Sequence, residues 1–489
     1  MGRYFGTDGI RGEVGEWPLD PEFFLNLGMA VGRVIHTSNR SLTMIVGRDT
    51  RQSGEMLQNA LTAGLLAGGI DVIDAGVIPT AGIAWLLRRL GLQAGAVISA
   101  SHNPVEQNGV KFIDADGLKF SEKLEGQIES FLSTEPSNSQ IIKGNKRLGR
   151  RTDGRSYHEL YIQGLGEEHD PDFLKGLTLL IDCSNGAASH FASEVFSRAG
   201  ARVIAIHSSP DGLNINSGCG SEFARRAPWE MGKMLHHFHA NFGLAFDGDA
   251  DRVVFVDENG SLIDGDHMLG FLAIYFHQKG QLLADSIVTT QMRNSGLKVY
   301  LERTGLIVHE TPVGDKYVVE KLVELRSQDN DPGKFGLGGE QAGHIDIVND
   351  MFTTGDGIRT ALFVMRAFVE SGVQTLANFA AGVGKTPQII ASAYVGQGPR
   401  IDRMQLSKIE QSLFDRCPGL SRANLRYSGT EPLLRVMLES DGKQTEIDLA
   451  EAAWEVCRNA QLIAGVDHGA IDILNCTSGG VISQQPGWD

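Results

Sequence analysis

The sequence predicts an α/β protein: three similar mixed α/β domains followed by a smaller C-terminal α+β domain. Three observations carry this. The chain has 489 residues, too many for one ordinary hydrophobic core, and the length suggests roughly three or four domains. Short apolar runs alternate with amphipathic stretches, the texture of βαβ units. Glycine outnumbers proline 60 to 15, which suits many tight turns rather than disorder.

The elements follow in order. "SLTMIVGRDT" reads as a strand running into a loop, and "GEMLQNALTAGLLAGG" as a helix with a glycine stop. "IDVIDAGVIPT" and "AGAVISASHNP" are further strands. Polar density rises at "RLGRRTDG", read as a linker, so the first domain is set at 1–154. The strand–loop–helix–strand pattern from "LTLLIDCSNGAASH" onward, ending in the paired strands of "NFGLAFDGDADRVVFVDENG", gives a second domain at 155–257. A third, at 258–376, contains "DSIVTTQM", "GLIVHETPVGDKYVVEKLVEL" and "KFGLGGEQAGHIDI". The α+β domain takes 377–465, and the glycine-, serine- and polar-rich 466–489 is expected to be a loosely attached tail.

Charge and cysteine usage narrow the function. The formal net charge is −16 with no Lys/Arg-rich block, which argues against nucleic acid or an anionic membrane as partner. Five scattered cysteines without a CxxC pair carry no spacing signature of a disulfide framework or a zinc site, and point to a reducing compartment. "MGRYFGTDGIRG" is no signal peptide, and no run approaches the roughly 20 apolar residues of a membrane span. A cytoplasmic protein is expected. "GVGKT" at Gly382–Thr386 imitates the end of a P-loop, but Phe379 stands where that pattern needs glycine, and a helical stretch precedes it instead of a strand.

Four stretches carry chemistry. In "AFDGDADR", Asp247, Asp249 and Asp251 recur every second residue at the end of an apolar strand, a spacing that turns their side chains toward one face, while the intervening Gly248 and small Ala250 let the backbone curl around an ion. Three such close carboxylates call for a cation, and hard oxygen ligands without His or Cys suit Mg²⁺. An EF-hand is excluded by the strand before the loop. In "GAVISASHNPVEQNGVKF", Ser101 ends an apolar run and is read either as a nucleophile or as a turn residue. A tight turn at Asn108–Gly109 is expected to bring Lys111 back toward it. In "RYSGTEPLLRV", Arg426 and Arg435 flank the Ser428-Gly429-Thr430 turn, a candidate phosphate cradle. In "GGEQAGH", glycines bring backbone close to a ligand while Glu340 and His344 offer groups suited to sugar hydroxyls.

In this order the four stretches resemble the α-D-phosphohexomutases, from Arg3 to about Ala464, and lie closest to the bacterial phosphoglucosamine mutase branch. "RYFGTDGIRG", "VGRDTRQSG", "PDGLNINSGCGS" and "TPVGDKYV" add to the likeness. The resemblance implies a heart-shaped enzyme around a central cleft, each domain supplying one loop. It implies a phosphorylated Ser101, with Asp247, Asp249 and Asp251 holding one Mg²⁺ per subunit together with Ser101. Arg11, His102 and Arg252 would lie near the phosphoserine, and Lys111 and His344 would act as general acid and base. Glu340 and Gln341 would bind the sugar, and Arg426, Ser428, Gly429, Thr430 and Arg435 its distal phosphate. The implied reaction interconverts glucosamine 6-phosphate and glucosamine 1-phosphate through a hexosamine 1,6-bisphosphate that serves as intermediate and activator, feeding UDP-N-acetylglucosamine and cell-wall precursor synthesis. The expected partner is a small-molecule sugar phosphate, and a homodimer is compatible with the family.

The sequence departs from the family pattern at Ala342, where Ser is usual, in "CGSEF" in place of CGS-x-H, and at Lys316 in place of Arg. None of these touches the serine, acidic or cradle motifs. The nearest rival is a phosphomannomutase/phosphoglucomutase. An aspartyl phosphatase would leave Ser101 without a role, and a non-catalytic sugar-phosphate sensor has no use for an intact serine, acidic triad and cradle together.

Overall fold

The computed structural model describes residues 4–6, 8–35, 42–133, 148–329, 331–396, 398–428, 432–467 and 469–483. Four sheets follow one another along the chain. The first contains β1 (Ile10–Glu13), β2 (Thr43–Arg48), β3 (Asp71–Val77), β4 (Ala94–Ile98), β5 (Gln107–Asp114) and β6 (Arg151–Asp153), in the order β1-β5-β4-β2-β3-β6. The second contains β7 (Thr178–Asp182), β8 (Arg202–Ile206), β9 (Phe242–Phe246), β10 (Val253–Val256) and β11 (Leu262–Ile263), in the order β11-β10-β9-β7-β8. The third orders β12 (Leu282–Thr290), β13 (Ile307–Thr311), β14 (Phe335–Gly339) and β15 (Ile345–Val348) as β13-β12-β14-β15. The fourth orders β16 (Gln388–Tyr394), β17 (Leu420–Tyr427), β18 (Leu433–Ser440) and β19 (Ile471–Asn475) as β17-β18-β16-β19.

The first three sheets share a device. Each has parallel strands joined by helices, as in β2–β3, β7–β8 and β12–β13. Each also has an antiparallel pair of strands adjacent in sequence: β4–β5, β9–β10 and β14–β15. A parallel crossover needs a long connection, whereas an antiparallel pair needs only a short loop. The fourth sheet is antiparallel throughout, and its β17–β18 hairpin supplies a fourth short loop. These four loops carry the four chemical stretches of the sequence.

Strand β4 is buried at every position, so its continuous apolar run reflects a central strand covered on both faces. The helix Gln52–Ala67 buries Leu57, Leu61 and Leu65 at helical spacing. It crosses helix Pro21–Ile35 at glycines, because a Cβ at Gly64 would come within 2.1 Å of the Leu25 carbonyl oxygen. The apolar core runs continuously through the first three sheets and their helices, while the fourth sheet and helix Glu446–Ile463 enclose a separate core.

The structure differs from the sequence expectations in three places. The expected linker at "RLGRRTDG" includes β6, an edge strand parallel to β3. Part of the expected tail forms β19, paired along Ala393–Ile389 of β16. The glycine- and serine-rich composition outweighs the Ile471-Asp-Ile473-Leu474 run on paper, but that run buries Ile473 and Leu474. Asn108–Gly109 is not a turn: it lies inside β5, where Asn108 and Gly109 pair with Gly12 and Arg11 of β1. The reversal comes earlier, between Ile98 and Gln107, and sets Lys111 opposite Val97. No helix among the described residues is long and apolar enough to cross a membrane.

One half-buried histidine, both ring nitrogens shielded from solvent, links this packing to pH. His169 stacks on Phe173 and meets Phe363 edge-on, and neither ring nitrogen has a hydrogen-bond partner. Burial, aided by Arg366 and Arg359, lowers its pKa to about 3. An unfolded histidine titrates near 6.5, so the unfolded chain binds the extra proton first and stability falls as pH drops from about 6.5 toward 3. His169→Phe is therefore expected to stabilise the protein by about 1–2 kcal/mol more at pH 5 than at pH 7.5. Thermal unfolding of both proteins at the two pH values checks this, and an equal gain at both would assign the effect to packing alone.

Candidate active site

Ser101 lies just past the end of β4 in a left-handed conformation, φ 54°. Its Oγ donates to Asp247 Oδ2 at 2.6 Å, and His102 Nδ1 is 3.4 Å from the same oxygen. The loop is held from beneath by Arg51, a residue that sequence reasoning did not single out. The Arg51 guanidinium is fully buried: Nε bonds Asp49 at 2.9 Å, and the remaining N–H groups donate to the carbonyls of Ser101, Asn103, Pro104 and Gln107. Asp49 also accepts from Ser99 Oγ at 2.6 Å, and Ser99 Oγ accepts the Ser101 N–H. Asn216 of the second unit donates to the Ser101 carbonyl at 2.8 Å. Such a fully satisfied buried network fixes the strained turn that carries Ser101.

The acidic loop follows β9. Asp247, Asp249 and Asp251 converge so that one oxygen of each lies within 4.8 Å of the others. All three are buried, at 0%, 0% and 4% exposure. Their convergence comes from a tight loop with Ala250 at φ 58°, rather than from the pleat of a strand. One oxygen each of Asp249 and Asp251 is buried without a hydrogen-bond partner, which is what a carboxylate set built around a hard cation presents.

Counter-charges arrive from three units. Lys111 Nζ lies 3.1 Å from Asp249, 3.3 Å from Asp251 and 3.4 Å from Asp8. Arg252 Nε stands 4.0 Å from Asp247 and 3.9 Å from Asp251. His344 Nδ1 is 3.7 Å from Asp251, and its Nε2 is 3.6 Å from Asp346 and 3.7 Å from Asp315. Thr80 Oγ1 donates to Asp249 at 2.5 Å.

Burial and these charges sort the ionisation states. Burial, reinforced by Asp251 and Asp249, pushes the Asp247 carboxyl well above its ordinary range. For Asp251, burial is outweighed by Lys111 and His344, which hold the carboxyl well below it. Burial disfavours charge on Lys111 and His344, yet their acidic neighbours raise both well above their usual values, so each carries a proton. His102 is the reverse: burial, then Arg252 and Arg11, lower it and keep it neutral.

A cleft of about 820 Å³ joins the four loops. Its walls include Asp8, Arg11 and His102 from the first unit, Asp251 and Arg252 from the second, Glu340, Ala342 and His344 from the third, and Arg426, Ser428 and Arg435 from the fourth. Arg11 pairs with Asp8 and donates to the Ala100 carbonyl. Glu340 accepts the Gly314 N–H at 3.1 Å. Arg426 and Arg435 face each other in register across β17–β18, and burial together with Arg435 lowers the pKa of the Arg426 guanidinium. Two like charges directly opposite are destabilising in a bare hairpin, and an oxyanion between them reverses the sign. Gly429 and Thr430 lie outside the described residues.

Gln341 is on the cleft wall, but its side-chain amide donates to Asp266 and Gln388, both at 2.8 Å, along the seam between the third and fourth units. Lys385, the lysine of the false P-loop, is buried in the same seam, bonded to Asp264 and the Cys476 carbonyl. Lys316 pairs with Glu122 away from the large cleft, whereas Glu222 is on its wall, paired with Arg225. Thr80, Asp8, Lys119 and Asp315 were missed in the sequence. Lys119 bridges Asp8 to Asp315 at 2.7 Å, and only the assembled fold brings these together.

Comparison with known proteins agrees with this architecture. Family profiles for phosphoglucomutase/phosphomannomutase alpha/beta/alpha domains I, II and III match residues 2–139, 159–260 and 264–385, and the profile for the C-terminal domain matches 381–455. The phosphoglucosamine mutase of Rhizobium leguminosarum is 39% identical over 444 residues, 90% of this chain and 95% of that protein. That of Alkaliphilus oremlandii is 40% identical over 454 residues, 91% and 96% of the two chains. Among solved structures, a phosphoglucomutase/phosphomannomutase family protein from Burkholderia thailandensis superposes with a TM-score of 0.72 at 20% identity, covering 93% of this chain and 97% of that one. An N-acetylglucosamine-phosphate mutase in its product complex gives 0.60 at 17% identity, covering 93% and 95%. With four profiles in order along one cleft-forming chain, the protein belongs to the phosphoglucomutase/phosphomannomutase family of the α-D-phosphohexomutase superfamily.

Proposed function

We propose that this protein catalyses the phosphoglucosamine mutase reaction, interconverting glucosamine 6-phosphate and glucosamine 1-phosphate. The observation that carries the reading is Ser101 Oγ at 2.6 Å from Asp247, next to a cleft lined by the adjoining His102 and, from the fourth unit, by Arg426 and Arg435. The curated relatives named above favour glucosamine over glucose or mannose.

In this reading Ser101 carries a phosphoryl group and gives it to the free hydroxyl of bound glucosamine 6-phosphate. The Oγ–P bond breaks, a sugar O–P bond forms, and the hydroxyl proton passes to a group of the cleft. The resulting bisphosphate turns around and returns its other phosphate to Ser101, leaving glucosamine 1-phosphate. Arg426, Ser428 and Arg435 grip whichever phosphate is distal, so either orientation presents a reacting oxygen to Ser101. Lys111 and His344 both carry a proton in the free site; one gives its proton to the leaving Ser101 oxygen and, so freed, takes up that of the attacking hydroxyl. Arg11, His102 and Arg252 surround the transferring group, and Glu340 orients the sugar. Asp247, Asp249 and Asp251, with the Ser101 phosphate, would hold Mg²⁺. When bound, that ion neutralises charge developing on the phosphoryl oxygens.

Three outcomes follow. Ser101→Ala should remain folded and lose turnover by far more than the roughly 10²–10⁴-fold typical of an acid/base group. Intact-mass analysis should find one phosphate adduct on the parent and none on the variant. Turnover within tenfold of the parent, free of contaminating mutase, would sink the phosphoserine route. Asp249→Asn should weaken Mg²⁺ binding and turnover together, and activity persisting in excess chelator would make the loop structural. Ala342→Ser restores a hydroxyl on the cleft wall beside Glu340. One net hydrogen bond is worth roughly 0.5–1.5 kcal/mol, so kcat/KM on glucosamine phosphate should rise about two- to tenfold. A gain confined to glucose or mannose phosphates in a side-by-side assay would move the assignment to the phosphomannomutase/phosphoglucomutase branch.

A further inference from the structure

A second cluster of potential ligands lies outside the cleft chemistry. Asp182 ends β7 and His207 follows β8, its parallel neighbour, so the two side chains emerge side by side at the same sheet edge. His207 Nδ1 lies 3.0 Å from Asp182 Oδ2. Cys219, at the entry to helix Gly220–Arg226, completes a trio with one donor atom from each residue within 4.8 Å of the others. Asp182 is anchored by backbone N–H groups on both oxygens, from Ser184 at 2.8 Å and Gly220 at 2.9 Å. Asp182 and Cys219 are buried while the imidazole is 37% exposed, which leaves an entry path from solvent.

Two details point to a ligand. Cys219 Sγ makes long contacts, 4.0 Å to Asn185 Nδ2 and 4.0 Å to the Asn214 carbonyl, and the backbone N–H groups of Asn216 and Ser217 point to it, as they would to a thiolate ligand. Ser184 Oγ, fully buried against Gly220, has no hydrogen-bond partner. A hydroxyl in that position is normally paired to protein or ordered solvent.

We propose that Asp182, His207 and Cys219 form a binding site for a Zn²⁺-like divalent cation, separate from the acidic triad. Thiolate, imidazole and carboxylate suit a borderline-soft ion and reject Mg²⁺. Three protein ligands with an open side leave room for water as a fourth. A nucleophilic role for Cys219 does not fit, because burial and then the Asp182 charge push its thiol up to about 12, the opposite of an activated thiolate. A bound cation displaces that proton directly.

The site is coupled to Ser101. Asn216, three residues before Cys219, holds the Ser101 and Asn103 carbonyls at 2.8 and 3.0 Å, and its own N–H bonds the Ser184 carbonyl. An ion at Cys219 therefore staples the loop that supports the serine.

The test is Co²⁺ titration of the chelator-stripped full-length protein. One equivalent should bind with a near-ultraviolet thiolate-to-cobalt band, be displaced by Zn²⁺, and be indifferent to excess Mg²⁺. The band should vanish in Cys219→Ser and persist in Asp249→Asn, which lacks an intact triad. His207 has φ 45°, so His207→Gly keeps the backbone at ease while lowering Co²⁺ affinity at least about tenfold. The absence of a thiolate band in the parent, a band surviving in Cys219→Ser, unchanged affinity in His207→Gly, or uptake lost only in Asp249→Asn would each overturn the site. None of these readouts depends on mutase turnover, so the proposal fails or stands apart from the reaction assigned above.

Discussion

The arrangement depends on burying three carboxylates in one loop. Asp247, Asp249 and Asp251 are removed from water within a few ångströms of one another, and isolated they would be driven to protonate. The charge of Asp251 is sustained by cations that no single unit possesses. Lys111 comes from the first sheet, Arg252 from the loop itself and His344 from the third. The electrostatic requirement of one loop thus fixes how three units sit against one another, and the apolar core that runs through the same three units reinforces that placement.

The serine is managed differently. Its carbonyl and those of its neighbours converge on Arg51, whose rigid fork satisfies several acceptors that would otherwise be buried and unpaired. Position is set by a positive group underneath, and the direction of the hydroxyl by the acidic loop above. Separating the two duties lets Ser101 keep a left-handed backbone without the surroundings relaxing it away.

What was legible in the sequence is what chemistry writes locally. The Asp-x-Asp-x-Asp run, the strand-end serine and the two arginines of the cradle announce themselves by residue type and spacing. Arg51, Thr80, Asp8, Lys119 and Asp315 do not, because their meaning lies in partners up to some two hundred positions away. The aspartates were legible too: their spacing and the small Gly248 and Ala250 between them suggest a backbone that curls, and the loop does curl, with Ala250 at φ 58°. At the C-terminal end, composition misled because glycine and serine flank a strand without describing it. The sheet needed an edge partner for β16, and Ile471–Asn475 supplies one.

The junction between the third and fourth units is made of amides, carboxylates and one lysine: Gln341, Asp266, Gln388, Lys385 and Asp264. Greasy surfaces slide over one another with little change in energy, whereas hydrogen bonds are directional and weaken steeply when bent. A tilt of the hairpin that carries Arg426 and Arg435 must therefore exchange several of these bonds as a set. The seam behaves as a ratchet with stops rather than as a bearing, and Gln341 makes the loop between β14 and β15 one of its teeth.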